Sequence, residues 1–318
     1  MRSAPLLLAG ALLLRLPSGP EAEAEEFSHT ALSVAGGEID LQIERVAGAQ
    51  ISDADIAQSV RRAAVAVSSF YGAYPVRHVK MVVLRFRGRG IHGTTFGNHL
   101  IRIRLGTETP ATVLRGDWTV THEMFHLAFP DLDGRHRWMQ EGLSTYFEPI
   151  ARARVGDLPA GRVWRDMLRD MPQGLPREGE GGLDQTPSWG ATYWGGALFW
   201  FLADVEIRER THNRKSADDV LRAVLAAGGD GSQDWPIERV LQVGDRATGT
   251  AVMMTLYQRL ARRRFEVDLS ALAARLGVGA AGFDDRASLA AIRRSITAPT
   301  SASRPLPDGP LRAPTRMR

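Results

Sequence analysis

Hydrophobic residues follow a strand-like rhythm in the first third of the chain. Apolar and polar residues alternate from Thr30 to Arg45 and turn at Gly36-Gly37, which predicts a β-hairpin. Ser52-Asp53 can cap a helix, and apolar residues recur beyond it at helical spacing. Val79–Phe86 is rich in Val and Leu and predicts a strand. This part of the chain therefore predicts a small α/β unit.

Glycines and arginines dominate the next segment. We interpret Gly88–Gly97 as a glycine-rich connection and His99–Leu105 as the strand that follows it. Apolar residues mix with arginines in this strand, a pattern typical of a half-exposed edge strand. Gly116-Asp117 then marks the end of the α/β unit.

From Trp118 onward the hydrophobic residues recur with helical periodicity. Pro130 and Pro149 are expected to stop the first two helices. Pro172–Pro187 is rich in Gly, Pro and Glu and predicts a long loop. The predicted helices are Thr119–Phe129, Trp138–Phe147, Ala191–Arg210, Ala217–Ala227 and Thr250–Arg263, followed by short helices within Leu269–Ile296.

The composition narrows the chemistry that is open to this chain. Its 318 residues, 44% of them hydrophobic, can bury a substantial core. The formal net charge of +4 is small for this length, and we predict no nucleic-acid partner. The chain has no cysteine, so a metal site must use His and carboxylate ligands. No later segment reaches the ~18 uncharged apolar residues of a membrane span, so none is predicted.

The two ends of the chain differ from the middle. Met1-Arg2, the apolar run Ala4–Leu14 and the A-x-A sequence Ala22-Glu23-Ala24 predict a signal peptide over residues 1–24. We therefore expect an exported protein, periplasmic or extracellular. Residues 298–318 are rich in Pro, Ser and Arg and predict a disordered tail. Between the two ends we predict an N-terminal α/β lobe, residues 27–116, and a helical lobe, residues 117–297, that together form one unit.

The pentapeptide His122-Glu123-Met124-Phe125-His126 has the form H-E-x-x-H. On a helix, His122 and His126 lie one turn apart on the same face, so both imidazoles can reach one ion. Glu123 lies about 100° further round the helix, where its carboxylate can hold a water that the ion polarises. Zinc lowers the pKa of such a water to roughly 7. The pentapeptide therefore predicts a hydrolytic zinc centre, with one zinc per chain.

Two histidines leave a tetrahedral zinc short of one protein ligand. Asp131 and Asp133 follow the motif too closely to fold back easily. Glu141 has room to return towards the histidines after a turn at Pro130. His136 is the rival ligand, because a third histidine would give an all-His site.

The motif helix followed by W-x-x-E-G, from Trp138 to Gly142, resembles the gluzincin metallopeptidases, the class of aminopeptidase N. The resemblance runs from about Val79 to Ala261. It is closest to the glycyl aminopeptidase branch in Ala191–Leu198, Leu202–Arg208 and Ser216–Leu221. It implies a thermolysin-like zincin catalytic domain of the α+β class.

The resemblance also implies roles for particular residues. His122, His126 and Glu141 match the zinc ligands, and Glu123 matches the general base. Tyr193, in Y-x-x-G, matches a hydroxyl donor to the oxyanion of the tetrahedral intermediate. Glu148 matches a second carboxylate, and its i,i+7 spacing from Glu141 could let it orient a zinc histidine.

One stretch departs from the aminopeptidase pattern. Those enzymes carry a G-x-M-E-N-type strand whose glutamate binds the substrate amine, and the corresponding stretch here has no acidic residue. We nevertheless expect its edge to pair with a peptide backbone. The predicted substrate-binding residues are Gly93, Thr94, Thr95, Phe96 and Gly97.

The sequence thus predicts a zinc-dependent metallopeptidase that acts on a peptide or protein substrate. Two alternatives stay open: a metal-binding but inactive peptide-binding module, and an amidase that acts on a non-peptide or cell-wall substrate. The intact Glu123 argues against the inactive module, because a chain released from catalysis need not keep its base.

Overall fold

The computed structural model describes residues 26–280 and 282–300. The predicted signal peptide lies outside the described residues, and so does the predicted tail beyond residue 300. None of the helices within the described ranges is both long enough and apolar enough to span a bilayer.

A five-stranded mixed sheet occupies the first part of the described chain. Its strands are β1 (Phe27–Val34), β2 (Gly37–Glu44), β3 (His78–Phe86), β4 (Ile91–Phe96) and β5 (Leu100–Gly106). They are arranged in the order β1-β2-β3-β5-β4. The predicted hairpin is confirmed, since β1 and β2 pair antiparallel. The central pairs β2–β3 and β3–β5 are parallel, and β4 runs antiparallel to β5.

Two predictions about the sheet were wrong. Gly88–Gly97 is not only a connection, because it contains β4. The segment His99–Leu105 contains β5, which is not an edge strand, since it lies between β3 and β4. Its arginines alternate because one face of the sheet is open, with Ile101 and Ile103 buried on the other face. The edge strand is β4.

Helix α1 (Asp53–Tyr71) makes the crossover between the parallel strands β2 and β3. The Ser52 hydroxyl accepts the backbone N–H of Asp55 at 3.1 Å, as expected of an N-cap. The helix ends at Gly72, which adopts the left-handed conformation with φ 88°. Its buried face packs against β1 and against two helices of the C-terminal part, which joins both parts in one hydrophobic core.

The remainder of the described chain is mainly helical, and the α+β class is confirmed. Three of the observed helices were not predicted: Ala111–Gly116, Ala160–Asp170 and Ile237–Thr248. The helices after α1 are α2 (Ala111–Gly116), α3 (Thr119–His126), α4 (Arg137–Arg154), α5 (Ala160–Asp170), α6 (Gly196–Arg210), α7 (Ala217–Ala226), α8 (Ile237–Thr248), α9 (Val252–Leu260), α10 (Leu269–Leu276) and α11 (Ala290–Ile296), with a short hairpin of β6 (Val278–Gly279) and β7 (Gly282–Phe283) between the last two.

The prediction that Pro149 ends a helix was wrong, because α4 continues through it to Arg154. A proline inside a helix removes one hydrogen bond and costs roughly 3 kcal/mol. Burial of the following residues Ile150 and Ala151 offsets this cost. Arg154 adds a buried ion pair to Asp218 at 2.6 Å. Tertiary contacts therefore override the local signal.

Helices α4 and α6 approach each other through glycine. A Cβ at Gly196 would overlap the carbonyl oxygen of Trp138, and a Cβ at Gly142 would overlap the backbone of Gly196. Gly142 directly follows Glu141, and Gly196 ends the Y-x-x-G sequence that begins at Tyr193. This glycine contact, defined by Gly142 and Gly196, fixes how closely the two helices bring these side chains together.

We expect Gly196→Ala to lower the free energy of unfolding by roughly 1–3 kcal/mol or more, because the added methyl group meets backbone that cannot rotate away. Gly161→Ala in α5 is the matched control, since its Cβ would meet only the end of the Arg165 side chain, at 3.4 Å. Urea unfolding of both variants measures the difference. Equal urea midpoints for Gly196→Ala and the unmodified protein would show that α4 and α6 can move apart without a loss of stability.

Candidate metal centre

Helix α3 carries both histidines of the motif on one face. The ring centroids of His122 and His126 lie 5.0 Å apart, as their i,i+4 spacing requires. His122 is only 2% exposed, and its ring meets the edge of Trp118 at 4.8 Å. Burial and the contact with Trp118 therefore restrict the His122 imidazole.

Glu141 on α4 completes a three-residue cluster. Its Oε2 lies 3.1 Å from Nε2 of His122 and 3.6 Å from Nε2 of His126. One potential ligand atom from each of the three residues lies within 4.8 Å of the other two. Two imidazole nitrogens and one carboxylate oxygen form a donor set that zinc accepts. The residues present thus fit the ion that the sequence predicts.

Burial and mutual contact set the protonation of this cluster. Burial lowers the pKa of the His122 imidazole, which favours the neutral form that binds metals. Burial also acts on His126, but the Glu141 carboxylate outweighs it and raises the pKa of His126. For Glu141, hydrogen bonds to the two histidines outweigh burial and hold its pKa well below the usual range. Glu141 is therefore a carboxylate at any neutral pH.

The second oxygen of Glu141 is held by Arg137, one turn earlier on α4. Oε1 of Glu141 accepts hydrogen bonds from Nε of Arg137 at 3.2 Å and from Nη2 at 3.0 Å. The sequence analysis did not predict this contact. The i,i+4 spacing of an arginine and a glutamate was the signal that could have found it.

Glu123 lies against β4, with 7% of its surface exposed. Its Oε2 accepts a hydrogen bond from the Thr95 hydroxyl at 2.7 Å. A Cβ at Gly93 would fall on the Glu123 side chain, so only glycine leaves room for this carboxylate beneath the strand. Strand β4 thus positions Glu123, a role that the sequence analysis did not assign to it.

Tyr193 lies in a π-helical turn, Gly190–Gly195, that leads into α6. Its ring stacks on His122 with centroids 6.1 Å apart, and on Trp189 at 5.5 Å. Burial, followed by the charge of Glu141, raises the pKa of Tyr193, so its hydroxyl stays protonated at neutral pH. π-Helical turns often occur at functional sites.

All of these groups except His122 line one cavity of about 330 Å³, and His122 lines a neighbouring cavity. Glu123, His126, Glu141 and Tyr193 line it together with residues of β4. Of the predicted substrate-binding residues, Gly93, Thr94, Thr95 and Gly97 line the cavity. Phe96 does not, and its ring lies instead beneath the Arg102 guanidinium at 5.0 Å.

Two further candidate residues, His136 and Glu148, lie outside the metal cluster. The rival ligand His136 is buried, and its Nδ1 lies 2.8 Å from Oδ1 of Asp184, so it is outside the cluster. Glu148 is buried and accepts a hydrogen bond from Arg152 at 2.7 Å. No hydrogen bond joins Glu148 to His122 within the described chain, where the buried Nδ1 of His122 has no partner. Nε2 is therefore the His122 atom directed at the cluster.

The sequence matches no protein-family model and no curated protein. Solved structures do match. An aminopeptidase N family protein from Idiomarina loihiensis aligns with a TM-score of 0.62 and 15% identity, over 79% of this chain and 49% of that one. An M1 zinc metallopeptidase from Deinococcus radiodurans aligns with a TM-score of 0.50 and 18% identity, over 76% and 53% of the two chains. A mutant of that peptidase bound to a Tyr-Ser-Ala substrate aligns with a TM-score of 0.50 and 17% identity.

The chain therefore spans about half the length of these solved structures and shares their fold. The resemblance to gluzincin metallopeptidases is confirmed at the level of fold. A His-His-Glu group of the gluzincin type is present at His122, His126 and Glu141.

We expect His122→Ala and Glu141→Gln to weaken zinc binding by more than roughly 100-fold, since loss of even an outer contact of a metal ligand costs 10- to 100-fold. The His136→Asn variant should keep its zinc, because His136 contacts Asp184 and lies outside the metal cluster. Metal content after dialysis against a chelator measures this, with circular dichroism to verify folding. Zinc lost from His136→Asn but retained in Glu141→Gln would identify the all-His site instead.

Proposed function

We propose that this protein is a zinc-dependent metallopeptidase that hydrolyses peptide bonds with Glu123 as general base. The neighbours in fold are zinc metallopeptidases, which supports a peptidase of this kind. The observation that carries the proposal is that the Glu123 carboxylate lines the same cavity as His126 and Glu141 of the cluster.

Nε2 of His122, Nε2 of His126 and Oε2 of Glu141 are the atoms that would bind the ion. When bound, zinc supplies Lewis acidity, which polarises a carbonyl and lowers the pKa of a water to roughly 7. The low pKa of Glu141 and the neutral form of His122 suit both residues to this task without a change of protonation.

Glu123 moves the proton. Its carboxylate accepts a proton from the attacking water while the water oxygen bonds to the peptide carbonyl carbon. The same carboxylate then gives the proton to the amine as the C–N bond breaks, so Glu123 ends as it began. The hydrogen bond from Thr95 and the tight fit beneath Gly93 restrict the carboxylate to one position, which such a transfer requires.

Tyr193 stabilises the oxyanion. Its hydroxyl stays protonated at neutral pH and lines the cavity on the side of Glu141. A hydrogen bond from it strengthens as negative charge develops on the carbonyl oxygen, which lowers the barrier rather than tightening substrate binding.

The substrate lies along β4. Because β5 is the only strand of the described residues that pairs with β4, the outer edge of β4 can take an extended peptide as an added strand. The strand residues Ile91–Phe96 include no carboxylate, so the strand offers no anchor for a substrate amine. Main-chain pairing, with little demand on sequence, is the recognition that this edge supplies.

We expect Gly93→Ala to reduce kcat strongly while zinc content stays unchanged, because the methyl group displaces Glu123 but does not touch the metal ligands. Gly134→Ala is the matched control, since Gly134 lines the same cavity but has nothing within 4 Å of an added Cβ. Steady-state kinetics on a peptide library compares the two. Equal kcat values for Gly93→Ala and Gly134→Ala would show that Glu123 does not take part in catalysis.

Glu123→Gln should keep its zinc and lose about 10²- to 10⁴-fold in kcat, the usual contribution of a positioned base. Glu238→Gln, an exposed change on α8 outside the cavities described above, is the control. Mass spectrometry of product termini, with a chelator arm, measures turnover and shows the position of cleavage. Full turnover in Glu123→Gln would remove Glu123 as base.

Peptide binding without turnover in the zinc-loaded unmodified protein would favour the inactive binding module, and cleavage of cell-wall fragments alone would favour the amidase.

A further inference from the structure

Two arginines, Arg135 and Arg137, lie beside the proposed site at the start of α4. The cavity that contains the metal cluster adjoins a second one of about 640 Å³, and Gly134, Arg137 and Tyr193 line both. Arg135 also lines the second cavity. Strand β4 contributes no charged residue to the cavity lining, whereas the wall around the start of α4 carries Arg135 and Arg137 together with the carboxylates Asp131, Glu141 and Asp184.

Arg137 has donors to spare. Its hydrogen bonds to Glu141 use Nε and Nη2 only. Within residues 26–280 and 282–300 Glu141 is the only carboxylate that forms an ion pair with Arg137, and the Tyr193 hydroxyl also interacts with the guanidinium. The side chain is 66% exposed, so these donors can be reached from the cleft.

The acidic groups of this wall are already engaged. Asp184, which lines the second cavity, accepts hydrogen bonds from Trp138 at 2.8 Å and from Tyr257 at 2.9 Å, and contacts His136. Asp131, which lines the first, accepts a hydrogen bond from the Gln140 amide at 3.0 Å. Neither carboxylate forms an ion pair with Arg137.

We propose that Arg137 anchors a carboxylate of the substrate, so that this cleft selects peptides with a negative charge close to the scissile bond. The proposal rests on the proposed peptidase function and adds its substrate class. The carboxylate can come from the C-terminus of a short peptide or from an Asp or Glu side chain. A guanidinium presents paired N–H groups that match a carboxylate, and its position beside Glu141 and Tyr193 brings that carboxylate next to the reacting carbonyl.

Binding of four peptides to zinc-loaded Glu123→Gln protein tests the anchor without turnover. The peptides are Tyr-Ser-Ala, its C-terminal amide, and the amides Tyr-Glu-Ala and Tyr-Gln-Ala, and calorimetry gives each Kd. We expect Tyr-Ser-Ala or the Glu-containing amide to bind about tenfold more tightly than its neutral counterpart at low salt, since hydrogen bonds to charged groups are among the stronger ones. Whichever of the two shows the preference identifies the source of the carboxylate.

Arg137→Gln in the same background should abolish the preference, Arg137→Lys should keep part of it, and Arg246→Gln, an exposed change on α8, should leave it intact. Zinc content is measured in each variant, and zinc is added in excess where it has fallen. A preference that survives Arg137→Gln with zinc bound, or no preference in the parent protein, would overturn the anchor. Hydrolysis of Tyr-Ser-Ala by the unmodified protein is measured separately, so its failure would count against the peptidase and not against Arg137.

Discussion

The close contact of α4 and α6 at Gly142 and Gly196 is the constraint on which the site depends. Glu141 and Tyr193 come from different helices, and each lies within a few residues of the glycine that permits the contact. Any side chain at Gly196 would push the helices apart and move both groups relative to the histidines of α3. The glycines of W-x-x-E-G and Y-x-x-G are thus packing residues, and the chemistry of their neighbours is a consequence of that packing.

Glu141 joins the metal cluster to the wall of the cleft. One oxygen is directed at two imidazoles and the other at Arg137, so a single carboxylate links the two functions of the site. Arg137 compensates part of the negative charge that burial would otherwise make costly. It also weakens Glu141 as an electron-pair donor to an ion, because the guanidinium attracts negative charge towards Oε1. A function of Arg137 in substrate binding would explain why a cation lies this close to the metal cluster.

Short-range sequence patterns predicted the cluster well and the substrate wall poorly. The spacing of His122 and His126, followed by Glu141 after a turn, depends only on helix geometry, and these three residues do meet. The role of Gly93 depends on how α3 packs against β4, a long-range contact with no local signal. The same limitation hid β4 itself, whose glycine and threonines suggested a connection, and it explains why Pro149 was expected to end a helix that tertiary packing continues. Helix α8 differs from these cases, because its buried residues Ile237, Val240 and Leu241 recur at helical spacing and give a local signal.

Asp184 indicates how the wall that carries Arg137 keeps its shape. It joins the start of α4, through His136 and Trp138, to Tyr257 on α9 and to its own loop. Burial acts to raise the pKa of Asp184, but these hydrogen bonds outweigh it and lower the pKa, so the group stays charged and keeps its contacts. Arg137 immediately follows His136, so the start of its helix is tied to α9 and to the loop that carries Asp184. A guanidinium on so fixed a support loses little entropy when it meets an anion, which makes a mostly exposed arginine a more effective anchor than its exposure alone would suggest.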